Sequence, residues 1–148
     1  MSIALVASGT LLQMGDGASA EAFTTVPEVT KLQGPSVKFD ILDVTSHSSI
    51  ATGNFREFIP GLSDGDNIAF DLNWKPSNTI HKDLRVGSYA RERRNFQVIF
   101  PDPDAISPAA DTTVVSEAYI TQIQPKADIG AVLTASCTLK VTGTPVWS

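Results

Sequence analysis

The chain has 148 residues, with sixteen acidic side chains against eleven basic ones and a formal net charge of −5. That balance argues against a protein that grips nucleic acid through clustered cations. One cysteine and two histidines exclude an internal disulfide framework and a structural zinc cluster. The length suits one domain with an ordinary core, and charged residues, at 18%, fall below the ~25% usual for soluble domains.

In chain order, the apolar start Ile3–Met14 reads as a strand. Its longest uninterrupted apolar run, Ile3–Ala7, falls far short of the ~20 residues that span a bilayer. No Lys or Arg precedes Lys31, so the basic flank of a secretory signal is missing. Gln13–Ala22 carries Gly, Asp and Ala as a loop would. Phe23–Leu32 reads as a strand, and Val37, Phe39 and Ile41 alternate with Lys38 and Asp40.

From Thr45 to Asp66 no period is sustained, yet Ile50, Phe55, Phe58, Ile59 and Leu62 fall there. An extended loop that long is functional or disordered, and its apolar content is too high for a solvated tail. The expectation is an arm that orders by burying those side chains on another copy.

Ile68, Phe70, Leu72 and Trp74 then alternate with Ala69, Asp71 and Asn73, the clearest strand signal in the chain. Ser77 is positioned to cap a short helix through Ile80, Leu84 and Ser88 towards Tyr89. His81, Lys82, Asp83 and Arg85 are expected on its solvated face, and Gly87 weakens it by roughly 1 kcal/mol. Arg91, Arg93 and Arg94 form the only local positive patch. Arginine is the preferred cation for contacts with carboxylates of other subunits, and that role is expected here.

Phe96, Val98 and Phe100 open another strand, and Phe100–Asp111 is a Pro- and Asp-rich loop. Thr112–Ile123 is rich in Val, Thr, Tyr and Ile but amphipathic on neither face, as two-sided burial or partner contact would require. Leu133, Ala135, Cys137, Leu139 and Val141 alternate with Thr and Ser to the end. About seven strands, one short α-helix and a long extended loop make a mainly β fold, a β-sandwich or barrel.

Chemistry is hard to find. No phosphate loop, HExxH, nucleophile elbow or CxxC occurs. His47 and His81 read as surface histidines, and Cys137 as a small buried hydrophobe. Asp64, Asp66 and Asp71 match no calcium loop. Asp102 and Asp104, alternating with prolines, read as a solvated turn and not as a glycosidase pair. No enzyme, cofactor or metal is expected.

Several segments resemble, in order, the tail tube proteins of long-tailed, non-contractile bacteriophages. They are "VPEVTKLQGPSVKFDILDVTSHSS" (Val26–Ser49), "FREFIPGLSDGDNIAFDLNW" (Phe55–Trp74), "FQVIFPD" (Phe96–Asp102) and the ending "CTLKVTGTPVWS" (Cys137–Ser148). The resemblance implies subunits whose strands join those of sister copies into a continuous barrel, in hexameric rings stacked into a tube around a tape-measure protein. Its further partners would be the tail terminator and the tail-tip or baseplate proteins, with DNA passing through without binding. It places the protein in the virion, assembled in the host cytoplasm. It also implies one tail-tube domain over 1–148, without the appended immunoglobulin-like domain of some members. An acidic channel wall would repel phosphate, and Asp40 and Asp71 are the candidates to line it. Two other readings stay open: the inner tube of a contractile tail or secretion system, and a carbohydrate-binding β-sandwich using exposed aromatics such as Trp147.

Overall fold

A computed structural model of the chain describes residues 7–47, 53, 55–102 and 111–148. Ile50, Asp104 and the first part of the expected Ile3–Met14 strand lie outside the described residues. Nine strands and one helix follow in order. They are β1 (Leu11–Gly15), β2 (Phe23–Thr25), β3 (Val29–Gln33), β4 (Val37–Asp43), β5 (Phe58–Gly65), β6 (Asn67–Asn73), α1 (Thr79–Ala90), β7 (Arg93–Phe100), β8 (Thr112–Lys126) and β9 (Thr134–Trp147).

Seven strands form one antiparallel sheet in the order β2-β1-β7-β8-β9-β6-β3, and among the described residues β4 pairs only with β5. Strands β2 and β3 sit at opposite ends of that order, yet only Val26, Pro27 and Glu28 separate them. Three residues reach about 10 Å, so the sheet must curl until its ends nearly meet. The connector bonds to both sides: Val26 N–H donates to Leu12 O at 2.8 Å, and Glu28 O accepts from Asn73 N–H at 2.9 Å. Glu28 turns the chain there with φ 65°. The expected sandwich or barrel is thus a curled sheet closed by a three-residue seam.

Alternation decides which face is core. Ile68, Phe70 and Leu72 of β6 point inward with Phe96 and Val98 of β7, Val114, Ala118 and Ile120 of β8, and Ala135, Cys137, Leu139 and Val141 of β9. Burying each of the larger side chains contributes about 1.5–3 kcal/mol. Ile68 faces Leu139 and Phe70 faces Cys137 across the ladder.

Helix α1 starts one residue later than the sequence suggests. Asn78, not Ser77, is the cap, and its Oδ1 accepts from the N–H groups of Ile80 (2.9 Å) and His81 (3.3 Å). Leu84, Gly87 and His81 face the barrel. The expectation of a surface His81 fails, because the ring is fully buried. Its Nδ1 accepts from Lys75 N–H at 3.0 Å, its Nε2 lies 3.1 Å from Pro27 O, and its plane stacks on Trp74 with centroids 5.3 Å apart. Two backbone groups and an aromatic face satisfy the ring there, as burial of a polar group requires. Gly87 allows a close approach: a Cβ there would lie 3.1 Å from Ile120 Cδ1. The residue that weakens the helix locally lets it sit on the sheet.

Candidate assembly site

The segment expected as a long loop is partly a strand. Phe58–Gly65 pairs with Val37–Asp43, so much of the arm is a β-hairpin. Pro60, Gly61, Ser63, Asp64 and Gly65 look like turn residues in sequence, but among the described residues this strand pairs on one side only. Such an edge tolerates Pro and Gly. The register shifts between Phe39 and Ile41, an irregularity that accommodates Pro60 opposite Ile41. Val44 N–H to Glu57 O at 2.9 Å and Glu57 N–H to Thr45 Oγ1 at 3.0 Å continue the pairing past the strands.

The hairpin exposes far more apolar surface than a solvated element should. Every residue of β4 is exposed. Val37, Phe39, Ile41 and Leu42 stand on that strand, with Phe58, Ile59 and Leu62 (86% exposed) on its partner and Phe55 just before it. Because Leu42 opposes Ile59 while Asp43 opposes Phe58, apolar groups occupy both faces. Sequence reasoning named Phe55, Phe58, Ile59 and Leu62 but assigned Val37, Phe39 and Ile41 to an ordinary half-buried strand. The adjacent Ile41–Leu42 pair, apolar on both faces, was the available signal.

The hairpin is seated on the barrel at one place. Lys140 of β9 donates from Nζ to Asp64 Oδ1 (3.1 Å), Asp64 Oδ2 (2.9 Å) and Gly65 O (2.7 Å). A Cβ on Gly65 would come within 2.8 Å of Val141 Cγ1, so glycine lets the backbone lie against β9. Nothing in the sequence marks Lys140, which occupies an ordinary outward position.

The other named residues separate. Asp71 lies on the outward face of the large sheet, opposite Lys31 on one side and Ser136 on the other, whereas Asp40 is on the hairpin. The two are not brought together. Arg93 pairs with Glu117 at 3.6 Å, and Arg94 pairs with Glu92 at 2.8 Å while also donating to Gly15 O at 3.4 Å. Arg91 ends α1 in the left-handed region, its N–H bonded to Ser88 O. Two of the three arginines therefore have carboxylate partners within their own chain.

Among the described residues, no three His, Cys, Asp or Glu side chains gather to hold a metal ion, and no helix is long and apolar enough to cross a membrane. A cleft of about 730 Å³ runs along β3 and is lined by residues such as Val29, Leu32, Phe100 and Pro101. Lys31 is the one ionisable side chain among its described lining residues. Burial pushes the Cys137 thiol up to about 12, and the charge of Asp71 adds to the shift. A thiol so placed is a packing group, not a nucleophile.

Comparison with known proteins fits this geometry. No curated protein sequence matches the chain. Among solved structures, the tail of an empty gene transfer agent particle, refined helically with C6 symmetry, superposes with a TM-score of 0.78 at 20% identity, covering 98% of this chain and 99% of that one. The sheath/tube terminator of an extracellular contractile injection system gives 0.73 at 14% identity over 100% and 99% of the two chains. The SPP1 tail tube gives 0.66 at 14% identity over 93% and 74%. These likenesses establish the fold. The family model described as lambda phage tail tube protein matches residues 6–148, and the chain accordingly belongs to the lambda phage tail tube protein family, a structural component of the virion.

Proposed function

We propose that the protein polymerises head to tail into hexameric rings that stack as a tail tube, with the β4–β5 hairpin as the element that joins copies. One observation carries this reading: a two-stranded sheet with apolar side chains exposed on both faces. An isolated two-stranded hairpin is at best marginally stable in water, and exposed apolar surface of this kind marks a contact site. Phe55, Phe58, Ile59 and Leu62 are the anchors on the described part of the arm. A hairpin that docks on a different surface of the next copy makes a heterologous contact, which yields rings or filaments.

The C6 symmetry of the gene transfer agent tail supports six copies per ring. By the same reading, the tube surrounds a tape-measure protein, meets a terminator and a tail-tip or baseplate complex at its ends, and conducts DNA. Its role is architectural, without catalysis. Arg91 remains a candidate for a contact between subunits, since Arg93 and Arg94 are engaged at home.

The inner tube of a contractile system has the same fold and is the second reading, favoured by the likeness to the injection-system terminator. Negative-stain microscopy of concentrated protein tests the proposal. Tubes with a regular axial repeat are expected, and a monodisperse monomer at every concentration and salt would overturn it.

A further inference from the structure

The hairpin is the outer half of a longer ribbon. Strands β3 and β6 pair from Val29 opposite Leu72 to Gln33 opposite Ala69, and β4 and β5 resume with Val37 opposite Gly65. Gly34, Pro35 and Ser36 separate β3 from β4, and Asp66 alone separates β5 from β6. At this break Asp66 N–H donates to Ser36 O at 2.8 Å, and Asp66 O accepts from Val141 N–H at 3.4 Å. Gly34 takes φ 103°, a region that favours glycine, and a Cβ there would lie 2.8 Å from Asn67 O. The inner half of the ribbon belongs to the curled sheet, whereas the outer half leaves it as a sheet of its own.

Two ionic contacts lie at the break. Lys38 of β4 stands 3.7 Å from Asp66, within the ribbon. From the barrel, Lys140 holds both Asp64 oxygens and the Gly65 carbonyl. Beside them is a recess of about 520 Å³, lined by Val37 and Ser63 on the ribbon and by Tyr119, Thr144 and Pro145 on the barrel. That space leaves the outer half room to swing about Ser36 and Asp66. Short segments at the ends of elements are where hinge motions are absorbed.

We infer that Lys140 is a positioning residue for assembly: its grip on Asp64 and Gly65 sets the angle at which the hairpin leaves the barrel, before a second copy is met. The inference rests on the hairpin being the element that joins copies, and says what aims it. One ammonium group donating to three oxygens on two adjacent residues fixes a direction, which a single contact would not. An arm already held at its docking angle loses less freedom on binding, so more of its apolar burial appears as affinity. The two side chains are 40% and 54% exposed, and such a pair adds little to global stability. A nonpolar side chain of similar length in place of Lys140 should therefore keep the fold and release the arm.

Distances between two spin labels test the angle. Val44→Cys, just beyond β4, and Lys75→Cys, just after β6, carry the nitroxides, while buried Cys137 stays unlabelled. The unassembled protein should give one narrow distance distribution. Lys140→Met should broaden it, and Lys140→Arg should keep it narrow. Asp64→Asn, which removes the charge from the other side, should broaden it too, with thermal melting of all three close to that of the unsubstituted protein. Molar salt should broaden the distribution with Lys140 in place and leave that of Lys140→Met unchanged, because exposed pairs are screened. Equal widths with and without the Lys140–Asp64 pair would overturn the inference.

Sedimentation tests the consequence. Lys140→Met should raise the critical concentration for tube formation about fivefold, and Lys140→Arg should stay near the original value. A broadened arm with an unchanged critical concentration would overturn the positioning role. Failure of the unsubstituted protein to form tubes counts instead against the hairpin as joining element, and the role in assembly falls with it. The label distances still report, in that case, whether Lys140 holds the arm.

Discussion

His81 of α1 reaches across the barrel seam to Pro27, its Nε2 3.1 Å from the Pro27 carbonyl oxygen. Because Nδ1 accepts from Lys75 N–H, the proton sits on Nε2, which donates to Pro27. One buried ring therefore ties the start of the helix to the three residues that close the sheet. His81→Leu should fill similar space but leave the Lys75 donor and the Pro27 acceptor unpaired. The expected loss is about 1–3 kcal/mol in urea denaturation, since two part-buried backbone groups lose their partner. A loss below ~0.5 kcal/mol would mean the seam does not depend on the ring.

The hairpin should behave in the opposite way. Phe58 is about half exposed, so Phe58→Ala should leave the melting of the unassembled protein nearly unchanged. Assembly should weaken by about 1–3 kcal/mol per contact, as for a buried interface anchor. The critical concentration for tube formation, from sedimentation, measures this, and equal values for the two proteins would refute the assignment.

Gly65 and Gly87 test close approach. Gly65→Ala forces Cβ against Val141 Cγ1 and should cost about 1–3 kcal/mol, as overpacking does. Gly87→Ala brings a better helix former into contact with the tip of Ile120. Combined with Ile120→Val, which removes that tip, Gly87→Ala should be stabilising by up to ~1 kcal/mol. Thermal melts of the single and double variants against Ile120→Val alone give both signs.

Asp16 makes the fold sensitive to acid locally. Its carboxylate accepts from the N–H groups of Ala18 (2.9 Å) and Ala22 (3.3 Å), and these bonds hold it below its ordinary value of 3.8. A depressed carboxyl contributes fully above the unfolded value and loses its contribution as pH falls through the folded one. The amides of Ala18 and Ala22 should therefore lose exchange protection below about pH 3.8, and Asp16→Ala should show no such step. Asp43, held low chiefly by the Thr45 hydroxyl and then by its amide, should titrate in the same direction.

Cys137 reports on integrity. With its thiol pushed up to about 12 inside the core, iodoacetamide at pH 8 should label denatured chains and leave native ones unmodified over hours. Labelling of native protein at a rate near that of a free thiol would show that β9 opens readily.

The parts of the fold legible in the sequence were those where burial on one face leaves a simple period. The alternation at Ile68–Leu72 and Leu133–Val141 placed β6 and β9 and oriented their side chains correctly. The strand expected over Phe23–Leu32 splits at Val26–Glu28 because the chain must cross from one sheet end to the other, a demand set by strands far away in sequence. His81 was assigned to solvent because its apolar neighbours Pro27 and Trp74 are supplied by tertiary structure alone. The arm was recognised by its apolar content, but its pairing was hidden by Pro60 and Gly61, whose local preferences oppose a strand. Lys140 was invisible for a related reason: its carboxylate comes from a hairpin whose path no local rule sets.

The sheet order also bears on when the molecule can fold. Strands β1 to β3 emerge first during synthesis, yet β1 needs β7, and β3 with β6 reaches β7 only through β8 and β9. Strand β9, which links β8 to β6, must therefore be in place before the circle can be completed. A chain that lacks β9 leaves the circle open, although the β4–β5 hairpin can pair without it.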